Sequence, residues 1–480
     1  MCLCREFETF QSTTYTFIEP KYEHIISYLG FGGYFTKINL CNSRGISTFA
    51  RFLYMRQYTT IKPNNLKLLN PMKTKLRLLF LVVALCSTIA LAATDYVMLN
   101  PLDTTALPMI PHKDSGGQIV RSAFNSDALW DNTLMQLSRQ HFSDESVFKV
   151  MKKLYRNTHK HYVTFPVAYW SKTPQGDSLL VSGRVYLPKQ RDLNGIVIAN
   201  HYTITSNAEA PSNMLSMESV LAMKGYAVIM PDYVGYGLSR EQMHPYLHWR
   251  SAARTAVDLL HSMPVLLQHY GYSYPTDVVI TGYSQGGAVA LGVARMIEQT
   301  DSPWTVRHLY AGAGPYDPAA TYLYCVGNDE MGIPAAIPLI VMGLSDAYDL
   351  GFALEDFFLE PLLSHYNDWI LSKDYTVAQI NQLMGSTIMT ELMTPEALDL
   401  NSRSAKWLYK VLQHNNLVGY NLHAPAYFFH SLDDDIVPLI NSTNLMAQMS
   451  DEGHITYDIG YYGSHMEASI PFMKYVYQDL

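Results

Sequence analysis

The chain has 480 residues, 48% of them hydrophobic, enough for one large buried core with room for an insertion. Its formal net charge of −8 is uneven: residues 1–77 hold eleven Lys/Arg and four Asp/Glu, residues 78–92 hold neither, and residues 93–480 hold 23 basic and 38 acidic side chains, a net −15. So acidic a body has no basic stripe to follow phosphates, which argues against nucleic acid as a partner and disfavours anionic membrane surfaces.

Lys73, Lys75 and Arg77 precede an uncharged apolar run over residues 78–91 that ends in Ala90-Leu91-Ala92. Basic, apolar, then small is the order of an export signal, predicted over residues 72–92 with cleavage after Ala92. Fourteen apolar residues fall short of the roughly 20 that span a bilayer, so no permanent membrane anchor is expected. An export signal opens a protein, and this one opens at Met72. Residues 1–71 therefore read as an upstream extension outside the mature, secreted or periplasmic product. Of the five cysteines, Cys2, Cys4, Cys41 and Cys86 precede residue 93. Cys325 alone lies in the acidic body and reads as a free buried thiol. No Cys/His spacing suggests a metal site, and none is expected.

Residues 93–160 form an N-terminal extension with a helical stretch near 145–155 and no assignable chemistry. The main domain is predicted over 161–480. Residues 163–170 and 179–187 pattern as an antiparallel pair joined through Thr173-Pro174-Gln175-Gly176-Asp177. Strands follow at 195–200, 226–231, 278–281 and 309–312, with helices at 214–224, 252–270 and 288–296. Those strands are continuous apolar runs, which implies a mostly parallel sheet covered on both faces, a doubly wound α/β architecture. Residues 318–410 break the rhythm with a Leu-, Met- and Phe-rich helical insertion, including helical patterns at 333–337 and 356–359. It is predicted to form a lid. Strands at 424–429 and 455–459 and helices at 442–449 and 467–477 close the domain.

After the strand at 278–281 comes Gly282-Tyr283-Ser284-Gln285-Gly286-Gly287 and then a helix-forming run. A serine at such a strand-to-helix elbow stands clear of the backbone, and the glycines let the turn close. A nucleophilic serine needs a base, and the base an orienting acid. The strand at 424–429 runs into His430-Ser431-Leu432-Asp433-Asp434-Asp435-Ile436-Val437-Pro438. An acid here faces the same crevice as the elbow, although three adjacent aspartates leave its identity open. His465, in Tyr462-Gly463-Ser464-His465, follows the last strand and is the candidate base.

These residues, with Pro231-Asp232-Tyr233-Val234-Gly235-Tyr236-Gly237 and His244-Pro245-Tyr246-Leu247, carry a resemblance. From about residue 162 to 480 the chain resembles the α/β-hydrolase superfamily, and within it secreted lipases and acyl esterases of the secretory-lipase type. The resemblance implies an α/β-hydrolase fold with a helical lid insertion. It places the acid at Asp434, between Ser431 and Val437-Pro438, with Asp433 the fallback and Asp435 the neighbour pointing away. It also implies an oxyanion hole from the backbone N–H groups of Gln285 and of a residue in the loop His201-Tyr202-Thr203, assigned to Thr203. Tyr202 stands where the superfamily often has glycine, and His201 is expected to shape the loop. The glycines of 232–237 read as a structural turn rather than a nucleotide site. The segment 244–246 fits the substrate entrance and internal packing equally well. Asn441-Ser442-Thr443 has the pattern of a glycosylation acceptor.

The expected activity is hydrolysis of small-molecule or lipid-like carboxylic esters through an acyl-enzyme on Ser284, with no cofactor; nothing in the sequence bears on oligomeric state. A serine exopeptidase of the same fold is the alternative, but no separate propeller domain and no clear acidic pair for a peptide amino terminus are found. A non-catalytic binding protein is the remaining class.

Overall fold

The computed structural model describes residues 6–9, 12–17, 26–31, 34–39, 96–99, 109–110, 162–449 and 453–480. The export signal at 72–92, the cysteines before it and the helix expected near 145–155 lie outside the described residues. The chain divides into two compact units, Met1–Leu91 and Ala92–Leu480. In the first, β1 (Glu6–Thr9), β2 (Ser12–Phe17), β3 (Ile26–Phe31) and β4 (Tyr34–Asn39) form an antiparallel meander. Sequence reading assigned no element there, although Thr, Tyr, Ile and Phe supply the strand preference.

The second unit is built on a ten-stranded sheet. Its mixed part contains β5 (Tyr96–Met98), β6 (Met109–Ile110) and the antiparallel hairpin β7 (Tyr162–Lys172) and β8 (Ser178–Pro188), with β5 parallel to β7 and antiparallel to β6. The hairpin closes as predicted over 173–177, with Gly176 at φ 100° and the Asp177 N–H donating to Thr173 Oγ1. The parallel part contains β9 (Gly195–Asn200), β10 (Tyr226–Pro231), β11 (Asp277–Tyr283), β12 (Thr305–Gly312), β13 (Ala426–Ser431) and β14 (Ile455–Gly460). Spatial order is β14-β13-β12-β11-β9-β10-β8-β7-β5-β6. The order therefore reverses between β9 and β11, and a crevice opens there at the strands' carboxyl ends.

Alternation along the buried strands loads both faces of the sheet. Ile196, Ile198, Val278 and Ile280 pack with Ala253, Leu260 and Leu291 of helices α1 (Trp249–His269) and α2 (Gln285–Gln299). Val197, Ala199, Val228 and Val279 pack on the other face with Leu221 and with Ala468 and Phe472. Leu221 belongs to a 3₁₀ helix over Met217–Lys224, shorter than the helix expected at 214–224. It starts on the Ser216 hydroxyl and ends at Gly225, φ 84°.

The insertion after β12 is helical, as expected. It holds α3 (Pro318–Asn328), α4 (Ala336–Ala347), α5 (Val377–Met384) and α6 (Arg403–His414), joined by shorter turns. Its core is separate, built on Phe357, Phe358, Trp369, Ile380 and Leu408. The helix expected at 356–359 is absent: a 3₁₀ turn ends at Asp356, Phe357 and Phe358 are buried, and Phe358 makes a β-bridge with Met393. Helices α7 (Ile440–Gln448) and α8 (His465–Asp479) follow β13 and β14. No helix among the described residues is long and apolar enough to cross a membrane.

Two buried charged residues have structural roles. Asp232 is fully buried at the end of β10, accepting from Ser182 Oγ at 2.5 Å and the Ser212 N–H at 2.8 Å, so the 232–237 stretch is a structural turn. Arg184, also buried, donates to the Pro211 and Ser212 carbonyls at 2.6 Å each. Asn441, by contrast, is closed to glycosylation in the folded chain. Its amide is buried, accepting from the Asp317 N–H at 2.9 Å and donating to Thr321 Oγ1 at 2.8 Å.

Removing the Asp232 carboxylate leaves two buried donors unmatched, each worth about 1–3 kcal/mol. Asp232→Ala should thus lower unfolding stability by roughly 2–5 kcal/mol, read as a fall in urea midpoint at unchanged slope.

Candidate active site

The elbow forms because several backbones meet more closely than any side chain allows. Ser284 sits between β11 and α2 at φ 59°, ψ −129°, a left-handed φ that non-glycine residues seldom adopt. Its N–H donates to Gly312 O at 2.9 Å. A Cβ on Gly286 would lie 2.1 Å from Asn200 O, and one on Gly282 would lie 2.1 Å from Gly286 O. Glycine at both positions is therefore a packing requirement. As the first residue of α2, Gln285 has an N–H with no acceptor inside the helix.

Ser284 and His465 line one cavity of about 250 Å³. Among the described residues Ser284 Oγ makes no hydrogen bond, so the hydroxyl is available to the cavity. His465 is buried, with Nδ1 2.6 Å from Asp434 Oδ2. A carboxylate only accepts, so Nδ1 carries a proton toward Asp434. The carbonyl of His465 accepts from Tyr283 OH at 2.8 Å.

Asp434 meets a dense set of donors. Its Oδ1 accepts the N–H groups of Ile436 at 3.0 Å and Val437 at 2.7 Å, and Oδ2 lies 3.4 Å from His430 Nε2 as well as beside His465. Burial pushes this carboxyl up, but the hydrogen bonds from His430 and His465 outweigh it and hold the group well below the usual carboxylate range. Asp433 is exposed. Asp435 does not point away as expected: its Oδ1 accepts the His465 N–H at 2.9 Å. The turn after β13 curls toward the start of α8, so two adjacent aspartates hold one histidine, by ring and by backbone.

Thr203 lies in the loop after β9, on the wall of the same cavity. Its N–H has no protein acceptor among the described residues, and its Oγ1 is 2.7 Å from Tyr246 OH. Tyr202 causes no distortion: the backbone there is not left-handed, and the ring packs with Ile204, Ala210 and Tyr236. His201 shapes the loop, with Nδ1 2.7 Å from Tyr202 O, Nε2 3.3 Å from Asp232 O and its ring stacked on Tyr233. Burial lowers its pKa to about 4, so it stays neutral.

The rest of the wall is mostly apolar and rich in methionine: Met214, Met217, Met230, Met466 and Met473, with Ile333 and Val377 from the insertion. Glu209 and Glu218 also line it, and burial pushes both carboxyls up, that of Glu209 to about 7. Among the described residues no group of His, Cys, Asp and Glu is placed to hold a metal ion. Cys325 is buried and free.

The five residues singled out in the sequence thus converge at the carboxyl ends of β9, β11, β13 and β14. Three contributors went unrecognised: Tyr283, His430 and the Asp435 carboxylate. The first two were within reach, one preceding the serine and the other ending β13 four residues before Asp434.

The secretory lipase family profile matches residues 202–472. Among solved structures, the chain is similar to the rice cell wall degrading esterase LipA from Xanthomonas oryzae, with 22% identity and a TM-score of 0.57 over 65% of this chain and 87% of that one. It is also similar to a candidate hydrolase of Legionella pneumophila, at 17% identity and TM-score 0.60 over 68% and 94%. Candida antarctica lipase A in its closed state gives 15% and 0.50 over 66% and 78%. At these identities the likeness is one of α/β-hydrolase fold. No curated protein sequence matches the chain.

Ionised Asp434 links the site to pH. Because its folded-state pKa is depressed, its contribution to stability is complete above the unfolded-state value of about 4 and is lost as pH falls through the folded-state value. Asp434→Asn should trail the wild type in urea midpoint by a constant margin from about pH 6 to 8, and the margin should shrink below about pH 4.

Proposed function

Since the chain belongs to the secretory lipase family and is a carboxylic ester hydrolase, we propose that it acts through Ser284 as a serine esterase on apolar acyl esters. The observation that carries this reading is a single one. Ser284, on a left-handed elbow, shares a cavity with His465, whose Nδ1 is locked 2.6 Å from a buried, ionised Asp434.

In this mechanism His465 Nε2 takes the Ser284 proton as Oγ attacks the ester carbonyl carbon. The carbonyl π bond opens, and the N–H groups of Gln285 and Thr203 stabilise the resulting oxyanion. Collapse of the tetrahedral intermediate expels the alcohol, which receives the proton from His465 and leaves an acyl group on Ser284 Oγ. Water, deprotonated by the same nitrogen, then releases the acid. Asp434 keeps His465 in the required tautomer and stabilises the imidazolium. Thioether side chains are unbranched and adapt to differently shaped acyl groups, and the raised pKa of Glu209 limits the negative charge that the wall presents. An anionic acyl group has no cationic partner among the residues lining the cavity.

Ser284→Ala should lower kcat on short p-nitrophenyl esters by at least about 10⁴-fold with the urea midpoint unchanged. Retained hydrolysis would remove Ser284 from the mechanism. The family and the 72–92 segment also support export, so mass spectrometry of the natural product should find its amino terminus near Ala93 and no peptide from residues 1–71.

A further inference from the structure

His244 and Tyr246 belong to one short loop segment, and neither lines the cavity that holds Ser284. Each nevertheless reaches one of the two residues proposed to supply the oxyanion donors. His244 is 2% exposed and its Nδ1 lies 2.7 Å from Val234 O. A carbonyl only accepts, so Nδ1 is protonated and Nε2 is an acceptor. That acceptor meets the Gln285 side-chain amide nitrogen at 3.2 Å. On the other side of the amide, Gln285 Oε1 is buried without a partner among the described residues, which leaves His244 as the anchor of the Gln285 side chain. Burial takes the His244 pKa down to about 3, so the ring remains a neutral acceptor.

Tyr246 does the same for the other half of the site, its hydroxyl 2.7 Å from Thr203 Oγ1 in a buried pair. The backbone joining the two contacts is clamped. A Cβ on Gly235, at φ 97°, would lie 2.7 Å from His244 Cα. One on Gly343 of α4 would lie 2.5 Å from His244 O and 2.9 Å from Tyr246 N. The turn after β10 and a helix of the insertion thus grip the segment from two directions, with no space for it to shift.

We propose that His244 and Tyr246 are positioning residues that fix the separation between the two oxyanion donors. The Gln285 and Thr203 N–H groups come from chain segments 82 residues apart in sequence. One rigid strut touching both side chains sets the distance between those amides before substrate arrives. Oxyanion donors work only when pre-aimed at where charge develops, and small displacements weaken them steeply. Loosening the strut therefore lowers transition-state stabilisation and leaves ground-state binding in the apolar cavity unchanged. This inference rests on the serine esterase reading above.

The test is a pair of variants that break one bond from opposite ends, Tyr246→Phe and Thr203→Val, with the double variant. All are compared per active site, counted by stoichiometric labelling with a fluorophosphonate, so misfolded protein does not enter. Expected is a fall in kcat of about tenfold in each single variant with KM within twofold, and a double variant no worse than the weaker single. Affinity for a trifluoromethyl ketone, which forms an oxyanion adduct, should fall in parallel. His244→Ala should behave alike, with His244→Gln, which restores an acceptor, recovering part of the loss. Per-site kcat within twofold of wild type in Tyr246→Phe, or a rise in KM alone, would overturn the proposal. Ser284→Ala separates the two levels: if it stays active the esterase reading itself fails, whereas an inactive Ser284→Ala beside an unimpaired Tyr246→Phe refutes only the strut.

Discussion

Everything in this site depends on how closely four stretches of backbone approach one another around Ser284. Asn200 O at the end of β9 leaves no space for a Cβ on Gly286, Gly286 O in the first turn of α2 none on Gly282 near the end of β11, and Gly312 O at the end of β12 none on Gly287. That approach forces Ser284 into a left-handed conformation, because the chain must reverse from strand to helix within one residue. A strained residue persists only where its surroundings over-determine it, and here the Gly312 carbonyl and the opening turn of α2 do so. The same approach brings the loop after β9 beside the start of α2. Asn200 and His201 thus meet the first turn of α2 for the same reason that Ser284 lines the cavity.

Four buried histidines around this point show how environment divides one residue type among roles. His201 and His244 lose their proton affinity to burial and act as fixed neutral groups, one donating its single N–H to a backbone carbonyl and the other accepting from an amide. His430 is enclosed between Ser442 Oγ at 2.6 Å, Val437 O at 3.0 Å and Asp434. His465 alone of the four has a carboxylate on one nitrogen and sits on the wall of the cavity with Ser284. A proton shuttle needs access to a reacting group and a partner for its cationic form, and only that combination meets both.

Much of this was legible in the sequence because it is encoded locally. β9 and β10 have the expected bounds, since each is a six-residue apolar run ended by turn residues. The elbow announces itself through glycine spacing, and the order of serine, acid and histidine follows from the topology. What was not legible depends on contacts between distant segments. Gln285 and His244 are 41 residues apart and Thr203 and Tyr246 are 43 apart, with no periodicity to link them. The segment 244–246 left entrance and packing equally open, and the structure places it in packing. Asp435 was misplaced because side-chain direction in a turn depends on where the turn curls, which three consecutive aspartates do not reveal. Composition likewise marked the insertion as helical, but its faces are partnered by its own core rather than by the sheet, so its contribution to the cavity had no pattern to read.

That contribution ties the cavity wall to the loop that carries Thr203. Lys373, buried just before α5, donates to the carbonyls of Arg240 and Gln242, while its own carbonyl accepts the Asn207 N–H at 2.7 Å. Two residues on, the Tyr375 carbonyl accepts from Thr205 Oγ1 at 2.7 Å. Residues 376–378, which follow directly, line the cavity that holds Ser284. The insertion therefore does not rest on the site as a loose cover. Lys373 and Tyr375, which directly precede those cavity-lining residues, are bonded to Thr205 and Asn207, just beyond Thr203, and to Arg240 and Gln242, and a displacement of one segment strains the other. The cavity wall and the Thr203 loop are coupled through those few hydrogen bonds, so a side chain that reshapes the wall near Val377 also acts on that loop.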